Sequence, residues 1–172
     1  IKYNNNSIIK NISFKIKRGD IFILKGESGK GKTSIIDIIV RLINPSEGSV
    51  CIDNEDLKNL DKHLWRDKIS YLSQKPELFN ASIEENIKFF DQKFDKEELS
   101  DSITLSGVDK FLDKLENGID TNVGEFGNKL SGGQKQRIAI SRLLNLKKDI
   151  FILDEPTSSL DDKSELIILD LI

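Results

Sequence analysis

One short stretch limits what this chain can fold into: Gly26-Glu27-Ser28-Gly29-Lys30-Gly31-Lys32-Thr33. It matches G-x-x-x-x-G-K-[ST], a loop whose backbone cradles phosphate groups. A polyphosphate needs many donors converging on it. Backbone N–H groups come that close only where side chains are absent, and glycine supplies the access. The apolar run Ile21 to Leu24 precedes the loop and reads as a strand buried on both faces. Apolar residues at 35, 36, 39, 40 and 43 follow it and predict a helix from Lys32 to Ile43, ended by Asn44-Pro45. The helix N-terminus then points free N–H groups and partial positive charge at the anion. Lys32 can bridge the β and γ phosphates, and the Thr33 hydroxyl can ligate Mg²⁺. Lys30 adds a charge that either favours phosphate or points to water, and water is the preferred reading.

The rest of the chain alternates strand and helix patterns. Ile12 to Ile16 has strand periodicity, Lys17-Arg18-Gly19-Asp20 is turn chemistry, and Ser49 to Ile52, Ile69 to Leu72 and Ile150 to Leu153 read as strands. The segment from about Ser82 to Leu115 is charged and mostly helical, and Asp161 or Asp162 could cap a last helix. Such alternation predicts an α/β domain with a mainly parallel sheet. The 172 residues fit one domain. A net charge of −3 gives no general pull toward nucleic acid or anionic lipid. No apolar run approaches the roughly 18 residues needed to cross a membrane. The single cysteine, Cys51, is expected to be a small buried residue in a reducing compartment. The chain starts at Ile1, contains no methionine and stops at Ile172 inside an apolar-periodic segment, so both ends are expected to be cuts in a longer polypeptide.

Two further clusters carry chemistry. Ile150-Phe151-Ile152-Leu153-Asp154-Glu155 places two acids at the tip of an apolar strand. Asp154 there could hold Mg²⁺ through water, and Glu155 could orient or deprotonate an attacking water. Leu130-Ser131-Gly132-Gly133-Gln134, followed by Lys135-Gln136-Arg137 and the run Ile138 to Leu146, is a second anion cradle: a serine cap, two glycines and a helix start. A single γ-phosphate seldom needs two such helix ends from one subunit. A head-to-tail dimer solves this, with each ATP held between the loop of one copy and the Ser-Gly-Gly of the other.

These motifs, in this order, resemble the ATP-binding cassette family over essentially the whole chain. The resemblance implies a phosphate-loop NTPase with a three-layer core, N-terminal antiparallel strands, and a helical subdomain inserted at about residues 80–145. It also implies that the domain is incomplete at its C-terminal end. It implies ATP and Mg²⁺ as ligands. Tyr3 falls where the family stacks adenine, Gln74 where a glutamine senses Mg²⁺ and water, and Ser159-Leu160-Asp161 where a loop couples the two sites of the dimer. Binding is thereby assigned to Tyr3, Gly26, Glu27, Ser28, Gly29, Lys30, Gly31, Lys32, Thr33, Ser34, Gln74 and the partner-facing Ser131, Gly132, Gly133 and Gln134. Catalysis falls to Glu155, Gln74 and Lys32, and metal binding to Thr33, Gln74 and Asp154.

Gln74-Lys75-Pro76-Glu77-Leu78-Phe79, with Ser82 to Ile87, looks like the exporter branch. Thr121-Asn122-Val123-Gly124-Glu125 is similar to that branch's loop against the membrane domain, although the family usually has an acid at Asn122 and often arginine at Phe126. The expected partners are a membrane domain, upstream on the same polypeptide, and a second cassette, with no nucleic acid. The expected place is the cytoplasmic face of the membrane. The family's switch histidine would lie past Ile172. The only histidine, His63, sits in a charged stretch and receives no catalytic part. The rival reading is a soluble cassette ATPase of DNA repair or translation, which the stretch after Gln74 and the lack of a basic patch oppose. A non-hydrolysing nucleotide-binding module is opposed by Lys32, Asp154 and Glu155, and a simple phosphate-loop kinase leaves Leu130 to Gln134 unexplained.

Overall fold

A computed structural model describes residues 2–3 and 6–7 along the backbone, and residues 12–27, 29–91 and 94–156 in full. The side chain of Tyr3, residue Ser28, the segment Ser159-Leu160-Asp161 and the last helix expected after Asp161 or Asp162 lie outside the described residues. The chain divides into two compact units, Ile1–Ile69 and Ser70–Ile172.

In the first unit, β1 (Lys2–Tyr3) and β2 (Asn6–Ser7) pair antiparallel. Helix α1 runs Lys32–Ile39, and β3 (Cys51–Ile52) pairs antiparallel with β4 (Glu55–Asp56) through a turn at Asp53 and Asn54. Helix α2 (Lys62–Asp67) begins at Asp61, whose carboxylate accepts from the N–H groups of His63 and Leu64. These two backbone N–H groups, Leu64 foremost, hold the Asp61 carboxyl below its ordinary value. His63 is exposed, as its charged surroundings suggest.

Helix α1 ends four residues short of the expected Ile43. The cause is distant in sequence. Trp65 Nε1 donates to the Ile39 carbonyl at 2.7 Å, Arg66 Nε to that of Val40 at 2.9 Å, and Arg66 Nη2 to that of Arg41 at 2.9 Å. The last carbonyls of a helix have no partners within it, and here two side chains of α2 take them. Arg41, at φ 57, turns the chain away, and Ile38, Val40, Leu57 and Trp65 are the buried apolar residues among those described in this unit.

Two further expectations fail here. Ile12–Ile16 and Ile21–Leu24 form no strand, and Ile21 and Ile23 are 65% and 69% exposed. A buried strand needs ladder neighbours, and neither run has one among the described residues; Phe14 and Phe22 stack with ring centroids 4.7 Å apart instead. The described strands pair in three two-stranded ladders, two of them antiparallel. Cys51 is exposed rather than buried, because it lies on a two-stranded hairpin.

The second unit matches its expectation more closely. Strands β5 (Ile69–Leu72) and β6 (Ile150–Leu153) are hydrogen-bonded neighbours. Between them in sequence lie α3 (Ile83–Lys88), α4 (Lys96–Ser106), α5 (Asp109–Leu112) and α6 (Gly132–Asn145). Ser82 caps α3 through the Glu85 N–H, and Asp95 caps α4 through Glu97 and Glu98. Gly107, at φ 69, closes α4 in the left-handed conformation that glycine adopts without strain. Leu78, Ile83, Ile87, Leu99, Val108, Phe111, Val123, Leu130 and Ile138 form one apolar cluster, and Leu72, Ala139, Ile140 and Leu143 form another. Helix α6 contributes to both. Strand β6 is half-buried, not fully enclosed: Phe151 is 49% exposed.

Candidate functional site

In the first unit the glycine loop folds around its own lysine. Lys32 Nζ donates to the carbonyls of Gly26 at 2.7 Å and Glu27 at 3.1 Å. This draws the ammonium into the loop at the first turn of α1. Gly31, at φ 91, is the residue before the helix, and Gly29 has φ 78. Both angles are open to glycine and strained for other residues. Gly26 is different. A Cβ built on it meets nothing within 4 Å, and the same holds for Gly29. At both positions the loop faces open space. Gly26, Glu27, Gly29, Lys30 and Thr33 are exposed; Gly31, Lys32 and Ser34 are half-buried. Lys30 pairs with Glu27 at 3.7 Å, with both side chains largely in solvent.

In the second unit the carboxylate turn is fixed from several sides. The Asp154 N–H donates to the Leu72 carbonyl at 2.9 Å, continuing the β5–β6 pairing past the strand end. Glu155 follows at φ 49, a left-handed conformation that favours glycine. Its Oε2 accepts from Gln74 Nε2 at 2.5 Å, joining residues 81 positions apart. Both side chains are exposed. Gln136 Nε2 donates to the Pro156 carbonyl at 2.8 Å. The sequence places Gln136 beside the serine–glycine motif but gives it no role. The available signal is a polar residue at helical spacing from Ala139, Ile140 and Leu143, all of them buried.

The serine–glycine motif opens α6. Ser131 Oγ accepts from the Gln134 N–H at 3.3 Å, and Gln134 Oε1 accepts from the Ser131 N–H at 2.8 Å. This reciprocal capping box pins the helix start while Ser131 and Gly132 stay exposed. Gly132 also has open space at its Cβ position.

The segment after Gln74 is anchored to two helices. Asn86, fully buried, accepts from the Phe79 N–H at 2.8 Å and donates to the carbonyls of Phe79 and Ser82. Arg142 of α6 donates to the Asn86 carbonyl at 2.7 Å, to Asn86 Oδ1 at 3.0 Å and to the Glu77 carbonyl at 3.3 Å. Its guanidinium also lies over the rings of Phe79 and Phe89, and burial lowers its pKa to about 10. Sequence reasoning missed this Asn86–Arg142 pair. Thr121–Val123 lies against Ala81–Ile83: the Ile83 N–H donates to the Thr121 carbonyl at 3.1 Å, and the Val123 N–H to that of Ala81 at 3.0 Å. Asn122 Oδ1 accepts from the Gly124 N–H at 2.9 Å. Phe126 is 69% exposed, and its carbonyl accepts from Lys135 Nζ.

A glycine loop closed on its lysine at a helix start, within an α/β chain, defines a phosphate-loop nucleotide-binding domain. Residues 9–158 match the family pattern described as "ABC transporter". The chain belongs to the ABC transporter family. It is 42% identical over 164 residues to ABC transporter B family member 1 of Dictyostelium discoideum, covering 95% of this chain and 18% of that protein. It is 43% identical over 161 residues to ABC transporter B family member 21 of Arabidopsis thaliana, covering 94% of this chain and 12% of that one. Among solved structures it resembles a bacterial Atm1-family ABC exporter with ATP bound, at a TM-score of 0.79 and 35% identity over 84% of this chain and 25% of the other. The chain thus spans less than a fifth of the curated relatives named here. The likeness bears out the exporter-type cassette read from the motifs and does not favour a soluble repair or translation ATPase. Among the described residues no helix is long and apolar enough to cross a membrane.

Proposed function

We propose that this domain binds and hydrolyses ATP and that its turnover drives export through a membrane domain. The observation that carries the reading is the hydrogen bond from Gln74 to Glu155, two exposed side chains held at the ends of paired strands. A carboxylate held by an amide at a strand tip is a group able to orient water. The glycine loop around Lys32 supplies the anion site.

The residues fit ATP and Mg²⁺. The loop leaves space where phosphates would lie, and Thr33 brings a hydroxyl, a hard oxygen, to the helix start. Thr33, Asp154 and Gln74 would hold the ion, which neutralises charge on the phosphate oxygens when bound. The backbone from Gly29 to Thr33 binds the β and γ phosphates, with Gly26, Glu27, Ser28, Lys30 and Ser34 completing the loop, and Tyr3 stacks on adenine. Glu155 takes a proton from water as the water oxygen bonds to the γ-phosphorus. The bond to the bridging oxygen breaks, and ADP leaves with its electron pair. Lys32 meets the charge that grows on the γ-phosphoryl oxygens. Ser131, Gly132, Gly133 and Gln134 serve the nucleotide of a second cassette in a head-to-tail dimer. Residues 80–145 form the helical subdomain. The segments at Gln74–Phe79 and Thr121–Glu125 meet the membrane domain, and the domain works at the cytoplasmic face of the membrane.

The test uses the full-length protein. Glu155→Gln keeps ATP binding and lowers turnover by about a hundredfold or more. Lys32→Ala weakens ATP binding itself. Full-rate hydrolysis by Glu155→Gln rejects these roles, as does unchanged affinity in Lys32→Ala.

A further inference from the structure

We propose that Gln136 is a positioning residue for Glu155, holding the carboxylate turn against the helix that carries the serine–glycine motif. The inference rests on the assignment of Glu155 above. Glu155 occupies a left-handed backbone conformation, at φ 49, in which a residue with a Cβ is strained. Such a conformation persists only if its neighbours fix it. On the N-terminal side the Asp154 N–H is tied to the Leu72 carbonyl. On the C-terminal side stands Pro156, which has no N–H, so its carbonyl is its only backbone handle. That carbonyl is taken by Gln136 Nε2 at 2.8 Å.

Gln136 is placed for this contact at a cost. It is fully buried, and among the described residues its Oε1 has no hydrogen-bond partner. A buried unpaired amide oxygen is unfavourable, and an apolar side chain of similar size would avoid the penalty. A glutamine at this position is therefore explained by what its N–H₂ group does. Gln136 lies one turn past Gly132, on the same helix that Ser131 caps. In a head-to-tail dimer the Ser131 end would serve the partner's ATP and Glu155 this chain's own. Gln136 thus links the elements that serve two different nucleotides, through one hydrogen bond.

The experiment measures steady-state hydrolysis by the full-length protein with Gln136→Met, which keeps the length of the side chain and removes the donor. The expected result is a fall in kcat of about ten- to a hundredfold, the scale set by small misplacements of a reacting group, with the KM for ATP within about twofold of the parent. In the Glu155→Gln background the same substitution removes nothing further, because the group it positions is already gone. Should Gln136→Met fail to fold, Gln136→Asn, which keeps the amide one methylene short, is read in its place. An unchanged kcat overturns the inference, as does an equal further loss in the Glu155→Gln background. The reading of Glu155 is tested separately by the Glu155→Gln single variant, whose full-rate turnover would reject that reading before Gln136 is altered.

Discussion

The glycines of the phosphate loop have two different reasons for being glycine. Gly31 has φ 91, so any side chain there strains the backbone. Gly31→Ala is expected to destabilise the domain by about 1–2 kcal/mol, measured by urea unfolding. Gly26 has no such angle, and a Cβ on it meets nothing within 4 Å. Gly26→Ala should leave the unfolding midpoint nearly unchanged and still weaken ATP binding, because the methyl group enters the space a phosphate needs. Equal losses of stability in both variants would show that Gly26 serves the fold alone. The pattern G-x-x-x-x-G-K-[ST] names both positions without distinguishing them; only the backbone angle and the surrounding space do so.

At the scale of elements, α1 depends on residues far from it in sequence. Arg66 binds the carbonyls of Val40 and Arg41, and its loss leaves part-buried acceptors unpaired. Arg66→Met is expected to cost about 1–3 kcal/mol in urea unfolding. This dependence also explains what the sequence could and could not reveal. Lys32, Ile69–Leu72, Ile150–Leu153 and the Ser131 cap were legible because their signals are local: a glycine–lysine junction, short apolar runs and a serine three residues before a glutamine. The end of α1 was not legible, because Trp65 and Arg66 set it from a distance of 25 and 26 residues. Ile12–Ile16 and Ile21–Leu24 carry strand patterns, but a pattern cannot supply a ladder partner. The candidate site divides in the same way. Motifs point to Lys32, Gln74, Glu155 and Ser131 as candidates, whereas Gln136, Asn86 and Arg142 are seen only through contacts made across 20 and 56 residues.

For the molecule as a whole, ligand binding should report on the folded state. A ligand that binds only the native form stabilises it by about 2.7 kcal/mol at a hundredfold excess over Kd. ATP is therefore expected to raise the melting temperature of this domain's transition in the full-length protein, and Lys32→Ala should abolish the shift. An undiminished shift in Lys32→Ala would place the nucleotide elsewhere. Helix α6 adds a mechanical corollary. It puts Ile138 into one apolar cluster and Ala139, Ile140 and Leu143 into the other. A rod gripped by close-packed side chains on two sides resists both rolling and sliding, since either movement opens voids in both places. Its amides should therefore be among the slowest in the chain to exchange with deuterium.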